Sequence, residues 1–247
     1  MMKPRRLYCL MLLCALLLRE EEGQAAINLM ATRLVYPGGA PEASLRVFND
    51  DQAPSLLQAW VDEGDVQQGP SHSKAPFLVT PPMIRLGGRK GQMLRIYGVD
   101  TKHLVQDRES LFWLNVLGLP PKTVAEGARV QLAYRTRIKL FYRPAGLPGS
   151  VRDAVTRLVW QTGPGLGVTV SNPGGFYISL SEVLISHGKQ SLLWQEAALI
   201  PPQAKLFLPM AGADETALHG ARGRARWIDD DGNYHEQGFQ LTQGAGR

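Results

Sequence analysis

The sequence predicts an all-β protein built as two sandwiches, on three observations. Apolar residues recur mostly with a period of two rather than 3.6. Turn residues punctuate the chain at short intervals, drawing on 26 glycines and 17 prolines. One stretch, "RPAGLPGS" at Arg143 to Ser150, breaks the strand pattern near the middle of the 247 residues, as a linker between two cores does.

Taken in order, the strand-like runs are "SLRVFND" (Ser44 to Asp50), "LLQAWVDE" (Leu56 to Glu63), "MLRIYGV" (Met93 to Val99), "LFWLNVL" (Leu111 to Leu117) and "VQLAYRTRIKLFY" (Val130 to Tyr142). After the linker come "LGVTVSN" (Leu166 to Asn172), "YISLSEVLI" (Tyr177 to Ile185) and "RARWIDDDGNYHEQGFQL" (Arg224 to Leu241). Between them stand turn clusters such as Asn49-Asp50-Asp51, Gly87-Gly88, Pro120-Pro121, Asn172-Pro173-Gly174-Gly175 and Asp231-Gly232. The one helix the pattern allows is "GSVRDAVTRLV", Gly149 to Val159. Each half has the size of an immunoglobulin-like sandwich, about 100 residues. Trp60, Trp113 and Trp227 lie inside alternating runs and are expected in the cores.

The first 25 residues are set apart. Lys3, Arg5 and Arg6 precede the apolar run "LYCLMLLCALLL", and "GQAA" offers small residues for cleavage near Ala25, although the acidic run Glu20 to Glu22 is unusual there. This reads as a secretory signal peptide; twelve apolar residues fall short of the roughly 20 that span a bilayer. Both cysteines, Cys9 and Cys14, lie in that segment, so a cleaved chain is expected to hold no disulfide. The expected organisation is therefore signal peptide 1–25, first domain 26–145 and second domain 150–247.

Enzymatic chemistry finds little support. The five histidines show no metal-ligand spacing, no G-x-S-x-G elbow occurs, and "GPGLGVTV" (Gly163 to Val170) leads into a strand rather than a helix N-terminus. "IDDDG" lacks the alternating ligand spacing of a calcium loop and reads as a hairpin turn. No catalytic residue, metal or cofactor is expected. A net charge of +5 is too mild to argue for nucleic acid.

The run "RVQLAYRTRIKLFYR" is the most unusual feature. Its even positions Val130, Leu132, Tyr134, Ile138, Leu140 and Tyr142 are apolar, while Arg129, Arg135, Arg137 and Lys139 fall on the odd face. Periodicity alone leaves two readings open: the whole even face is core, or part of it serves a partner.

Together with "DRESLFWLNVLGLPP" and "IKLFYRP", this run resembles the PapD-like periplasmic chaperones of the chaperone-usher pathway. "ATRLVYPGG", "VFNDDQAPSLLQAWVDE", "FLVTPPMIRL", "VSNPGGFYISL", "LIPPQAKLFLP" and "RWIDDDGNYHE" extend the resemblance over most of the chain. The resemblance implies two immunoglobulin-like β-sandwich domains in a boomerang arrangement, and a chaperone that lends a strand to an incomplete pilus subunit. It implies Val130, Leu132 and Tyr134 as the donated side chains, and Arg33 with Lys139 as the anchor for the subunit's terminal carboxylate. Glu109, Arg143 and Asp230 are implied as an interdomain ion network, with Asp229 and Asp231 open as alternatives to Asp230. Implied partners are pilus subunits and an outer-membrane usher, with self-association through the exposed strand. The implied location is the periplasm. The competing reading is a secreted two-domain adhesin or fibre subunit.

Overall fold

The computed structural model describes residues 27–121, 132–163, 167–187, 190–210, 218 and 220–243. The signal-peptide reading, Val130 and residues 164–166 of the Gly163 to Val170 turn lie outside them.

The first sandwich is made of β1 (Ile27–Leu29), β2 (Arg33–Pro37), β3 (Ala43–Asn49), β4 (Ser55–Asp62), β5 (Phe77–Thr80), β6 (Met83–Leu86), β7 (Gly91–Gly98), β8 (Ser110–Leu119) and β9 (Tyr134–Arg143). They form a four-stranded sheet in the order β1-β3-β7-β5 and a five-stranded sheet in the order β2-β9-β8-β4-β6. The alternation in the sequence becomes alternation of burial. Leu45 and Val47 on β3, Leu57, Ala59 and Val61 on β4, Leu94 and Ile96 on β7, Phe112, Leu114 and Val116 on β8, and Ile138, Leu140 and Tyr142 on β9 meet in one core.

After the linker, Ser150 caps the short helix α1 (Val151–Thr156), its hydroxyl accepting from the Asp153 amide. The second sandwich pairs a three-stranded sheet, β10 (Val159–Thr162), β11 (Gly167–Asn172) and β15 (Ala204–Pro209), with a five-stranded one. The latter holds β12 (Ile178–His187), β13 (Gln190–Trp194), β14 (Ala198–Ile200), β16 (Arg222–Ile228) and β17 (Tyr234–Gln240). On β12 the core side switches from even to odd positions, from Ile178 and Leu180 to Val183 and Ile185. The pairing of β12 with β16 shifts between Leu180 and Glu182, and that bulge reverses which side chains face inward.

Each sandwich uses a buried asparagine to hold a turn. Asn49 Nδ2 donates to the Ala53 carbonyl at 2.9 Å while its Oδ1 accepts from the Asp51 amide. Asn172 Nδ2 donates to the carbonyls of Phe176 at 2.8 Å and Pro201 at 3.0 Å, and its Oδ1 accepts from the Gly174 amide. These bonds satisfy turn carbonyls that burial would otherwise leave unpaired.

Trp227 lies in the second core as the alternation predicts, but Trp60 and Trp113 do not lie in the first. They sit on the outer face of the five-stranded sheet, in the rows of Gln58 and Asp62 on β4 and of Asn115 on β8. Alternation assigns a side chain to one of two faces; here both rings face away from the core, beneath the basic side chains of β9.

Leu114 is fully buried between the sheets. Leu114→Ala should cost about 2–5 kcal/mol of stability through the lost contacts and residual cavity, read as a lower denaturant midpoint for the first unfolding transition; a change below about 1 kcal/mol would contradict this packing.

Candidate functional site

Strand β9 is bounded unequally. On one side β8 pairs with it antiparallel from Tyr134 to Tyr142. On the other, β2 pairs with it in parallel, and only from Lys139 to Arg143. Among the described residues, positions 134 to 138 therefore have a neighbouring strand on one side alone. An edge of this kind offers unpaired N–H and C=O groups to another chain.

The side chains change role along the same strand. Ile138, Leu140 and Tyr142 are buried in the core, whereas Tyr134 is 46% exposed and Leu132, just before the strand, 55%. The even face thus runs from solvent into the sandwich, with half-buried Thr136 at the crossover.

Arg33 and Lys139 face each other at the first position of the parallel pairing, where the covered half of β9 begins. Arg33 is almost fully buried, and its Nη1 crosses to the second sandwich, donating to Ser179 Oγ at 3.2 Å and to the Ile228 carbonyl at 3.1 Å. Burial lowers the Arg33 pKa, against the opposing pull of Asp230 and Asp229. Burial and the nearby Arg33 charge lower that of Lys139. Two cations are thus held close in a partly dry setting.

Glu109, Arg143 and Asp230 come together at the joint. Arg143 Nε donates to Glu109 Oε1 at 2.7 Å, and Nη1 and Nη2 donate to the two oxygens of Asp230 at 2.8 and 3.0 Å. Glu109 Oε2 accepts from the Tyr177 amide at 2.7 Å, so the carboxylate grips both sandwiches. The partners shift in ways that do not match: burial pushes Glu109 up despite Arg143, while Arg143 is raised because its two carboxylates outweigh its own burial. The asymmetry follows from position. Glu109 is nearly sealed and Asp230 is half open.

Of the three consecutive aspartates, Asp230 reaches Arg143. Asp229 turns instead to His235, 2.6 Å from its Nε2, and accepts from the Asn233 amide. The Asp231 amide donates to Asp229 Oδ1. The resulting turn brings Gly232, with φ +89°, against Thr32 beside Arg33.

Sequence reasoning missed Asp62, which has no exposed surface. It accepts from Arg137 Nη2 at 2.6 Å, Asn115 Nδ2 at 2.7 Å and the Gly64 amide at 2.8 Å, and lies 3.5 Å from Arg135 Nη2. Alternation puts Asp62 with Gln58 and Trp60 on one face of its strand. That the arginines of β9 lie over it depends on registers that letters do not give.

The profile described as "Pili and flagellar-assembly chaperone, PapD N-terminal domain" matches residues 26–148, and that of "Pili assembly chaperone PapD, C-terminal domain" matches 153–239. The chain belongs to the PapD-like pilus-assembly chaperones. Chaperone protein FimB/FhaD of Bordetella pertussis is 38% identical over 219 residues, 84% of each chain. The solved YadV chaperone superposes with a TM-score of 0.76 at 32% identity, covering 88% of this chaperone and all of YadV. A chain in the complex of the Salmonella enterica SafA pilin with the SafB chaperone superposes with a TM-score of 0.73 at 30% identity, covering 88% and 97%. This PapD-like chaperone therefore has two β-sandwich domains and a role in pilus assembly.

Burial pushes the Asp229 carboxyl up, but bonds from His235 and Asn233 outweigh it and bring it from 3.8 down to about 2. A lowered acid contributes stability that is whole above its unfolded value and lost as pH falls through the folded one. The stability difference between wild type and Asp229→Asn should accordingly shrink between pH 5 and pH 2, followed by thermal melting; a difference that widens towards acid would refute the pairing.

Proposed function

We propose that this chaperone works in the periplasm, captures pilus subunits by lending them the exposed half of β9, and hands them to an outer-membrane usher. Its working units are taken to be a first domain, 26–145, carrying the lent strand and a second, 150–247, after removal of a signal peptide ending near Ala25.

The observation that carries this reading is the half-covered strand. A subunit strand placed beside positions 134 to 138 continues the line of β2 and pairs the open backbone groups. With its terminal carboxylate at Arg33 and Lys139, that strand runs in the direction of β2, parallel to β9. The anchor thereby sets register, because a shift by one residue would separate the carboxylate from both cations and turn the wrong side chains inward. Leu132 and Tyr134, with Val130 upstream, then fill the subunit's groove as alternate side chains. Glu109, Arg143 and Asp230 hold the two sandwiches at a fixed angle so that the anchor is assembled before the subunit arrives. Self-association of free chaperone would use the same open edge.

Arg33→Ala and Lys139→Ala should each abolish recovery of a one-to-one complex with a co-expressed pilus subunit, since a charge-assisted bond is worth roughly 1.5–3 kcal/mol. Wild-type yield from either variant would remove the anchor. Capture should also weaken as pH rises through the lowered Lys139 pKa, where the ammonium becomes neutral.

Leu132→Asp should lose the subunit while the free chaperone melts nearly as before, because the side chain is exposed. A core position would instead unfold the first domain, burying an unpaired charge at a cost of several kcal/mol; that outcome would end the donor assignment.

A further inference from the structure

We propose that Asp62 is a positioning residue for the lent strand, a buried counter-charge that holds the uncovered half of β9 straight from its outer face. The proposal rests on the donor-strand reading and adds to it the group that keeps the strand ready.

Two features coincide in place. The stretch of β9 that lacks β2 runs from Tyr134 to Ile138, and the residues tied to Asp62 are Arg135 and Arg137, the two outward side chains of that stretch. The ties span the sheet. Arg137 is paired with Asn115, Asn115 with Trp60, and Asp62 with Trp113, so a carboxylate two strands away reaches across β8 to β9. Asn115 bridges the gap, donating to Asp62 Oδ2 at 2.7 Å and accepting from Arg135 Nε at 2.8 Å.

A strand with one neighbour is free to twist and fray, and its outer face is the one place where further restraint can act without occupying the edge a subunit needs. Restraint from the inner face is excluded as well, because Leu132 and Tyr134 must stay available. The outer-face cluster meets both conditions.

The cluster holds more positive than negative charge, two guanidinium groups against one carboxylate. Aromatic faces offset the surplus: Arg135 lies 5.0 Å over the Trp60 ring and Arg137 4.8 Å over Trp113. Arg135 Nη1 further donates to the Val66 carbonyl at 2.9 Å, which ties the segment after β4 to the cluster. Asp62 is hard to replace there, since its loss leaves two partly buried cations side by side without their counter-charge.

The test combines hydrogen exchange on the free full chain with recovery of a co-expressed pilus subunit from its gene cluster. Asp62→Asn should lose amide protection at positions 134 to 138 while β4 and the rest of β8 keep theirs. It should also recover roughly tenfold less subunit, the scale set by losing a charge-assisted bond. Arg137→Gln, which leaves Asp62 with Arg135, Asn115 and Gly64, serves if Asp62→Asn does not fold, and should show the same local loss in milder form. Protection lost evenly over β4, β8 and β9, or retained throughout in both variants, would overturn the proposal. So would wild-type subunit recovery from a variant whose β9 protection had fallen. Leu132→Asp runs alongside: if it captures subunit like wild type, the donor reading fails, while the exchange pattern still decides whether Asp62 holds the edge.

Discussion

Strand β9 has two neighbours from Lys139 to Arg143 and one from Tyr134 to Ile138 among the described residues, and the arrangement around it follows from that inequality. The covered half is ordinary sandwich, with inward side chains in a core and both edges hydrogen-bonded. The uncovered half must stay extended without the bonds that normally enforce extension, and must keep apolar side chains in water without drawing a neighbour onto them indiscriminately. On the proposed donor-strand reading, the cations at the changeover give an approaching chain a reason to stop in one register. In the proposal made for Asp62, the basic outer face anchored to it holds this half extended. These are separate demands, met on separate faces of one strand.

The joint between the sandwiches belongs to the same problem. Arg33 sits on the first sandwich but its guanidinium is held by Ser179 and the Ile228 carbonyl of the second. A proposed anchor made this way exists only when the two sandwiches stand in one relation, and the contacts of Glu109 with the Tyr177 amide and of Arg143 with Asp230 maintain that relation. Phe141 against Tyr177, with ring centroids 5.5 Å apart, adds apolar contact at the same place. The ion triad carries a burial cost at Glu109.

Much of this was legible in the letters, because a period of two and frequent turn residues specify sandwiches without reference to anything distant. Strands β3, β4, β7, β8 and β9 of the first core, β11, β12, β16 and β17 of the second, and the short helix after Ser150 follow from local pattern. Resemblance pointed to Arg33, Lys139 and the joint, which no local rule would have singled out. What the letters withheld was register. Trp60 and Trp113 alternate as core residues do, yet face outward, since alternation fixes two faces and not which one meets the opposite sheet. Asp62 ends a strand as an unremarked acid until the pairing of β4, β8 and β9 places two arginines across it. The bulge at Leu180 to Glu182 is invisible for the same reason: it exists only relative to a partner strand.

The opening segment of the chain divides its allegiance, β1 pairing with β3 in one sheet and β2 with β9 in the other. Arg33 is the first residue after the crossing. On the proposed anchor, any pull on a carboxylate held there and directed along β9 loads five consecutive pairings of β2 sideways at once, with β1 clipped into the opposite sheet behind them. Parallel bonds loaded in shear share a force that would open them one by one if it peeled the strand away. The pairing of β2 with β9 is thus suited to resist traction along the strand and to yield to lifting across it, and this mechanical bias needs no covalent cross-link.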